Sequence, residues 1–273
     1  MERILNGASF HIELAGSGPP LLLLHGFTGA ASAWEAHIPA LARRRRVIAP
    51  DLLGHGASAA PPDPERYRME RCVADLLLLL DVLGAPRADV LGYSMGGRVA
   101  LSLAAAAPER VGRLVLESAS PGLADRLDRA SRAASDDALA DSIEREGLET
   151  FVARWEALPL FASQAGLPGE RRAALRAQRL RASPRGLANS LRGMGTGQMA
   201  PLWERLPGLA APALLLAGAL DTKYCELARQ MAARMPAARL AIVPDAGHTV
   251  HLERPEAFQE AVLGFLDGPD LVS

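Results

Sequence analysis

The sequence predicts an α/β protein: a mainly parallel central sheet flanked by helices, with an inserted helical cap. Three observations predict it. Short aliphatic runs, among them Leu21 to Leu24, Val47 to Ala49, Leu114 to Glu117, Ala213 to Ala217 and Leu240 to Val243, recur with helix-length stretches between most of them, the spacing at which crossover helices join parallel strands. With 273 residues and 49% hydrophobic content, the chain can bury one substantial core and still carry an insertion. Between about Pro121 and Leu206 the alternation stops, and the chain becomes rich in Arg, Ala and Asp, punctuated by Pro159, Pro168 and Pro184. The core is therefore expected over residues 1–120 and 207–273, and the cap over 121–206.

In chain order, Phe10, Ile12 and Leu14 alternate with polar neighbours, and Gly16, Gly18 and Pro19 turn the chain toward Leu21 to Leu24. This reads as a hairpin feeding a buried strand that ends at His25-Gly26-Phe27. Ser32-Ala33-Trp34-Glu35 has capping-box spacing and predicts a helix carrying Trp34, Ile38 and Leu41. The run Arg43 to Arg46 reads as a solvated face before the strand at Val47. Pro50 to Ser58 is a turn-rich loop, and Tyr67 to Leu83 predicts a long helix. The stretch 88–107, ADVLGYSMGGRVALSLAAAA, then reads as a strand, a tight turn and a small-residue helix that Pro108 ends. In such a sheet chemistry gathers in the loops at the carboxyl ends of the strands.

Composition excludes several classes. A formal net charge of −1 gives no general field for nucleic acid or an anionic membrane. Cys72 and Cys225 make neither a disulfide framework nor a zinc pattern, which suits a reducing compartment. The start, MERILNGASF, has no apolar leader core, and Leu76 to Leu80 is far too short to span a bilayer, so a cytoplasmic protein with no membrane insertion is expected. His248-Thr-Val-His251 has no third metal ligand indicated, and neither metal nor cofactor is expected. A dinucleotide reading of the elbow glycines fails because Ser94 stands where the second glycine is needed, although Glu117 lies at a suitable distance downstream.

The tight turn carries the chemistry. Gly92, Ser94 and Gly96 have the G-x-S-x-G spacing in which a strand reverses into a helix with no room for flanking side chains, leaving the serine exposed. A serine hydroxyl needs a histidine to take its proton and a carboxylate to orient that histidine. Asp221 follows the strand ALLLAG and His248 follows LAIVPDAG, in the order Ser, acid, His. Asp245 is too close in sequence to reach the far side of the His248 ring, and His251 lies further into the segment that becomes the last helix. The backbone N–H of Met95, at the helix start, and that of Phe27, after the first buried strand, are the expected oxyanion donors, with His25 structural. Such amides stabilise an oxyanion or an enolate equally, so the reaction is left to the substrate.

With HGF, the GYSMGG elbow, Asp221 and His248 in place, the chain resembles the α/β-hydrolase fold family over nearly its whole length. Within that family it is similar to the menaquinone-pathway synthases of 2-succinyl-6-hydroxy-2,4-cyclohexadiene-1-carboxylate, through LLLLHGFTGAASAWE, GYSMGGRVAL, ESASPGL, WEALPLFAS and LDTKY. The arginine directly after the elbow glycines, Arg98, is the most telling feature. The resemblance implies a lyase that eliminates pyruvate from a small polycarboxylate, with Ser94, His248 and Asp221 as the base. It implies substrate contacts from Tyr93, Arg98, Arg132 and Trp155, with Arg126 and Arg129 as neighbours that could take the place of Arg132. Lys223 and Tyr224 stand where the family often has a basic and an aromatic residue. Two other readings share these residues: an ester or carbon–carbon bond hydrolase, and a ligand receptor that has lost its chemistry.

Overall fold

Four leucines in a row, Leu21 to Leu24, suit a strand covered on both faces. In the computed structural model, which describes residues 1–269, Leu22 and Leu24 join one buried cluster and Leu21 and Leu23 the other. The chain runs β1 (Glu2–Leu5), β2 (Ala8–Ala15), β3 (Pro20–Leu24), α1 (Ile38–Leu41), β4 (Arg46–Pro50), α2 (Met69–Val82), β5 (Ala88–Tyr93), α3 (Met95–Ala106), β6 (Val111–Glu117), α4 (Arg126–Glu156), α5 (Gly169–Leu180), α6 (Pro184–Met194), β7 (Ala213–Gly218), α7 (Thr222–Ala232), β8 (Ala238–Val243), α8 (Val250–Glu253) and α9 (Pro255–Leu266).

The strands form one sheet in the order β1-β2-β4-β3-β5-β6-β7-β8. Pairing is parallel from β4 through β8, and β1 and β2 are antiparallel additions. The strands β3 and β5 are neighbours although β4 lies between them in sequence. The order reverses there, so a crevice opens at their carboxyl ends, where the loop after β3 meets the turn after β5. Helices α2, α3 and α7 contribute Leu76, Val99 and Met231 to one cluster, and α9 contributes Phe258 and Phe265 to the other.

Between β6 and β7 the chain is helical. Gly147, with φ +80°, kinks α4, and a 3-10 turn over Pro159–Gly166 leads to α5. Ile143, Phe151, Val152, Leu187 and Leu191 of α4 and α6 make a third apolar cluster, on which Phe27 and Trp155 pack. No helix of the described residues is long and apolar enough to cross a membrane.

Four expectations are corrected. The strand β2 pairs with β1 and β4, not with β3; the hairpin is β1–β2, and the glycine turn carries the chain past β4 instead. Ser32 to Glu35 is no capping box: Ala30 caps a 3-10 turn over Ala31–Trp34 without a side-chain bond, and a separate short helix follows at Ile38. The arginine run is not uniformly solvated. Arg45 is buried, bonding Asp267 at 2.5 Å and the Leu266 carbonyl at 2.7 Å, because it faces the end of α9 and not water. The long second helix also starts later than expected, at Met69, after a 3-10 turn over Pro64–Tyr67.

Candidate active site

The reversal from β5 into α3 occurs at Ser94, whose φ of 51° and ψ of −107° lie outside the helical and extended regions. Such a conformation costs on the order of 1–3 kcal/mol and persists only where its surroundings enforce it. The enforcement is visible at the flanking glycines. A Cβ on Gly92 would lie 2.3 Å from the Gly96 carbonyl oxygen, and one on Gly96 would lie 2.1 Å from that of Leu24. Ser94 N–H donates to the Glu117 carbonyl at 2.8 Å, tying the turn to β6.

Loops after β5, β7 and β8 bring three expected residues together. His248 Nε2 lies 3.0 Å from Ser94 Oγ, and His248 Nδ1 lies 2.7 Å from Asp221 Oδ2. The carboxylate places the ring proton on Nδ1 and leaves Nε2 as an acceptor facing the hydroxyl. Asp221 caps α7, its Oδ1 accepting the Tyr224 N–H at 3.2 Å, which fixes the carboxylate. Asp221 and His248 are both buried, and the ring of Tyr224 packs 4.5 Å from that of His248. Lys223 stands with its ammonium 5.9 Å from the Tyr224 ring.

Phe27 follows β3 and Met95 opens α3. Neither backbone N–H donates to a backbone carbonyl among the described residues. The Phe27 loop is held by His25, which accepts the Leu52 N–H at 3.0 Å on Nε2. Its Nδ1 is 2.8 Å from the Gly26 carbonyl, to which it donates. Burial pushes the His25 pKa down to about 4, which keeps the ring neutral.

Arg98 lies one turn into α3. Its guanidinium donates to the Met194 carbonyl at 2.6 Å, and no carboxylate pairs with it among the described residues. Burial pushes its pKa down to about 10, with Arg132 adding to that and Tyr224 and Asp136 opposing it. Arg132 donates from Nε to Asp136 at 2.8 Å with its side chain half exposed. Of its neighbours, Arg126 is exposed, and Arg129 is occupied by the Leu123 and Ala124 carbonyls.

A cavity of about 530 Å³ is lined by Phe27, Tyr93, Trp155, Phe161, Gln164 and Arg179 among others, and by neither Arg98 nor Arg132. Ser94 and His248 are not among its lining residues. The walls reach them through the rings of Tyr93 and Phe161, 5.5 and 6.0 Å from the His248 ring. Trp155 packs against Phe27, Phe151 and Phe161 and keeps a buried indole N–H without a partner. It therefore serves both as a wall and as the joint between the helical segment and the core.

Several neighbours of the site escaped sequence reasoning. Arg179 is buried, sits over the Phe161 ring at 5.6 Å and pairs with Glu156 at 3.0 Å; in an arginine-rich helix nothing distinguishes it from its solvated neighbours. Gln164 and Thr249 bond each other at 3.0 Å. Glu117, weighed only as a cofactor ligand, pairs instead with His251 Nδ1 at 2.8 Å. Its position ending a strand was the available signal. No cluster suited to a metal ion occurs among the described residues.

A family model described as alpha/beta hydrolase fold matches residues 19–255. The chain is similar to a Bacillus subtilis (strain 168) protein provisionally named a 2-succinyl-6-hydroxy-2,4-cyclohexadiene-1-carboxylate synthase, with 44% identity over 93% of each chain. The synthase of the same name from Serratia proteamaculans (strain 568) is 34% identical over 92% of this chain and 94% of its own. A pimeloyl-[acyl-carrier protein] methyl ester esterase of Nitrosomonas europaea is 33% identical over 92% and 97%. The solved structure of MenH from S. aureus superposes with a TM-score of 0.90 and 37% identity, covering 94% of this chain and 97% of that one. The fold, the crevice and these likenesses agree: the chain belongs to the α/β-hydrolase fold family.

Proposed function

We propose that the chain is a lyase that eliminates pyruvate from a cyclohexene bearing a hydroxyl, a succinyl group, a carboxylate and an enolpyruvyl ether, giving 2-succinyl-6-hydroxy-2,4-cyclohexadiene-1-carboxylate in menaquinone biosynthesis. His248, oriented by Asp221, activates Ser94 as the base that removes the ring proton next to the succinyl ketone. The electron pair left behind rests as an enolate against the Phe27 and Met95 amides. It then moves through the ring double bond and expels the enolpyruvyl oxygen, and the released enol takes up a proton to become pyruvate. No water and no cofactor is consumed. The helices over 121–206 act as a cap on a core of 1–120 and 207–273, and the cytoplasm is the expected compartment for such a biosynthetic enzyme.

The observation that carries this reading over plain hydrolysis is Arg98. A half-buried guanidinium with no carboxylate of the protein on it among the described residues, one turn from the reacting serine, suits a substrate that brings its own carboxylate. Arg132 and Arg179 extend the cationic surroundings, and Tyr93 and Trp155 supply aromatic walls. The higher identity to the Bacillus protein than to the esterase supports the same choice. The esterase likeness favours a second reading, hydrolysis of an ester through an acyl-serine, and one side chain separates the two. Arg98→Ala is expected to weaken turnover of the enolpyruvyl substrate by on the order of 2–5 kcal/mol, as for a charged partner left unpaired in a dry site. Trace hydrolysis of a neutral p-nitrophenyl ester stays nearly unchanged. Equal losses on both substrates contradict the assignment.

A further inference from the structure

Thr249, directly after His248, is buried, and its hydroxyl oxygen has two close neighbours. Gln164 Nε2, from the helical segment, lies at 3.0 Å, and Tyr93 Oη, from the residue before Ser94, lies at 2.8 Å. An amide nitrogen can only donate, so Gln164 donates to Thr249. The threonine's own proton then needs an acceptor, because a buried hydroxyl left without one is costly. Among the described residues that acceptor is the Tyr93 oxygen. Tyr93 thus receives a hydrogen bond from Thr249, and its own phenolic proton finds no further protein acceptor among the described residues. Tyr93, Gln164 and Thr249 all line the cavity of about 530 Å³.

We propose that Gln164, acting through Thr249, sets the direction of this hydrogen-bond chain so that Tyr93 presents its O–H to an acceptor oxygen of the molecule bound in the cavity. Gln164 and Thr249 are positioning residues; Tyr93 is the group that touches the ligand. Burial raises the Tyr93 pKa above the ordinary phenol value, which keeps the proton in place. The chain also links the helical segment to both halves of the catalytic apparatus, since Tyr93 adjoins Ser94 and Thr249 adjoins His248. That the acceptor is a ketone or carboxylate oxygen of the enolpyruvyl substrate rests on the function proposed above; the direction of the chain does not.

Reversing the donor tests this. In Gln164→Glu the carboxylate only accepts, Thr249 donates to it, and Tyr93 turns its proton back onto Thr249. Pyruvate release should fall about 10- to 100-fold, the range for losing a hydrogen bond to a charged or charge-developing group, and should match Tyr93→Phe. Introduced into Tyr93→Phe, the same change should cost less than about threefold more, because its effect has already been removed. An equal loss in both backgrounds, or no loss in the wild-type background, overturns the proposal. If Gln164→Glu does not fold, Gln164→Met frees Thr249 to accept from Tyr93, and its smaller loss must likewise vanish in Tyr93→Phe; a loss that persists overturns the proposal. Calorimetry with benzoate carrying an ortho succinyl group, a stable aromatic mimic of the ring, reads the same pattern as affinity. Wild-type protein that binds this probe with the predicted pattern but releases no pyruvate contradicts the proposed function and leaves the hydrogen-bond chain standing. Protein that neither binds nor turns over overturns both.

Discussion

Two buried histidine–carboxylate pairs lie three residues apart in the chain. His248 meets Asp221 at 2.7 Å through Nδ1, and His251 meets Glu117 at 2.8 Å through the same ring atom. Their second contacts separate them. His248 turns Nε2 onto Ser94, whereas His251 lies against the rings of Trp34, Tyr93 and Phe258. Its backbone N–H also donates to Glu117 at 3.0 Å. A carboxylate can orient either imidazole, but the pair becomes a base only where the far nitrogen faces a group with a proton to give. The second pair is a clamp: Glu117 holds Ser94 through its carbonyl and the His248 loop through its carboxylate.

The contrast breaks most visibly at the first pair. Ser94→Ala or His248→Gln should lower pyruvate release by roughly 10⁴-fold or more while the protein stays folded, because little apolar area is lost. A folded Ser94→Ala variant with near-normal turnover contradicts the role of the serine. Asp221→Asn should cost about 10⁴-fold as well, since an amide favours the wrong tautomer of His248. At the second pair the balance is expected to invert. Glu117→Leu strands a buried imidazole and should destabilise the fold by on the order of 3 kcal/mol, read by denaturant unfolding. Turnover per folded molecule should fall no more than about tenfold, and a 10⁴-fold loss would make Glu117 part of the base.

A further contrast concerns acid. Between about pH 4 and the ordinary histidine value of 6.5, the unfolded chain holds a proton that folded His25 does not. Stability is therefore full above pH 6.5 and declines as pH falls to about 4, by on the order of 3 kcal/mol for this residue. Buried His37 and His55, pushed down to about 4 and about 3, act in the same direction. Unfolding midpoints measured from pH 7 to pH 4 should drop accordingly, and less steeply in His37→Gln. A flat profile contradicts the neutral, buried state of these rings.

The meeting of Ser94, His248 and Asp221 was legible because each follows a strand, in the order Ser, acid, His, and two are flagged locally: glycines crowd Ser94 and a glycine precedes His248. Strand pairing was not legible in the same way. Nothing within Phe10 to Leu24 says that β4 will slip between β2 and β3, since that choice depends on partners distant in sequence. The burial of Arg45 and Arg179 was hidden for the same reason, because a run of arginines looks solvated until the facing carbonyls and carboxylates are in place. Gln164 and Thr249 carry no motif, and only their meeting across the cavity gives them a role.

In the proposed function this triad abstracts a proton for an elimination and does not hydrolyse an ester. The most direct measurement supplies the enolpyruvyl cyclohexene to the wild-type protein and follows pyruvate together with the ultraviolet absorbance of the cyclohexadiene. The expected result is pyruvate and diene in equal amounts, abolished by Ser94→Ala, with negligible turnover of p-nitrophenyl esters. Unchanged substrate alongside rapid ester hydrolysis through an acylated Ser94 would contradict the claim.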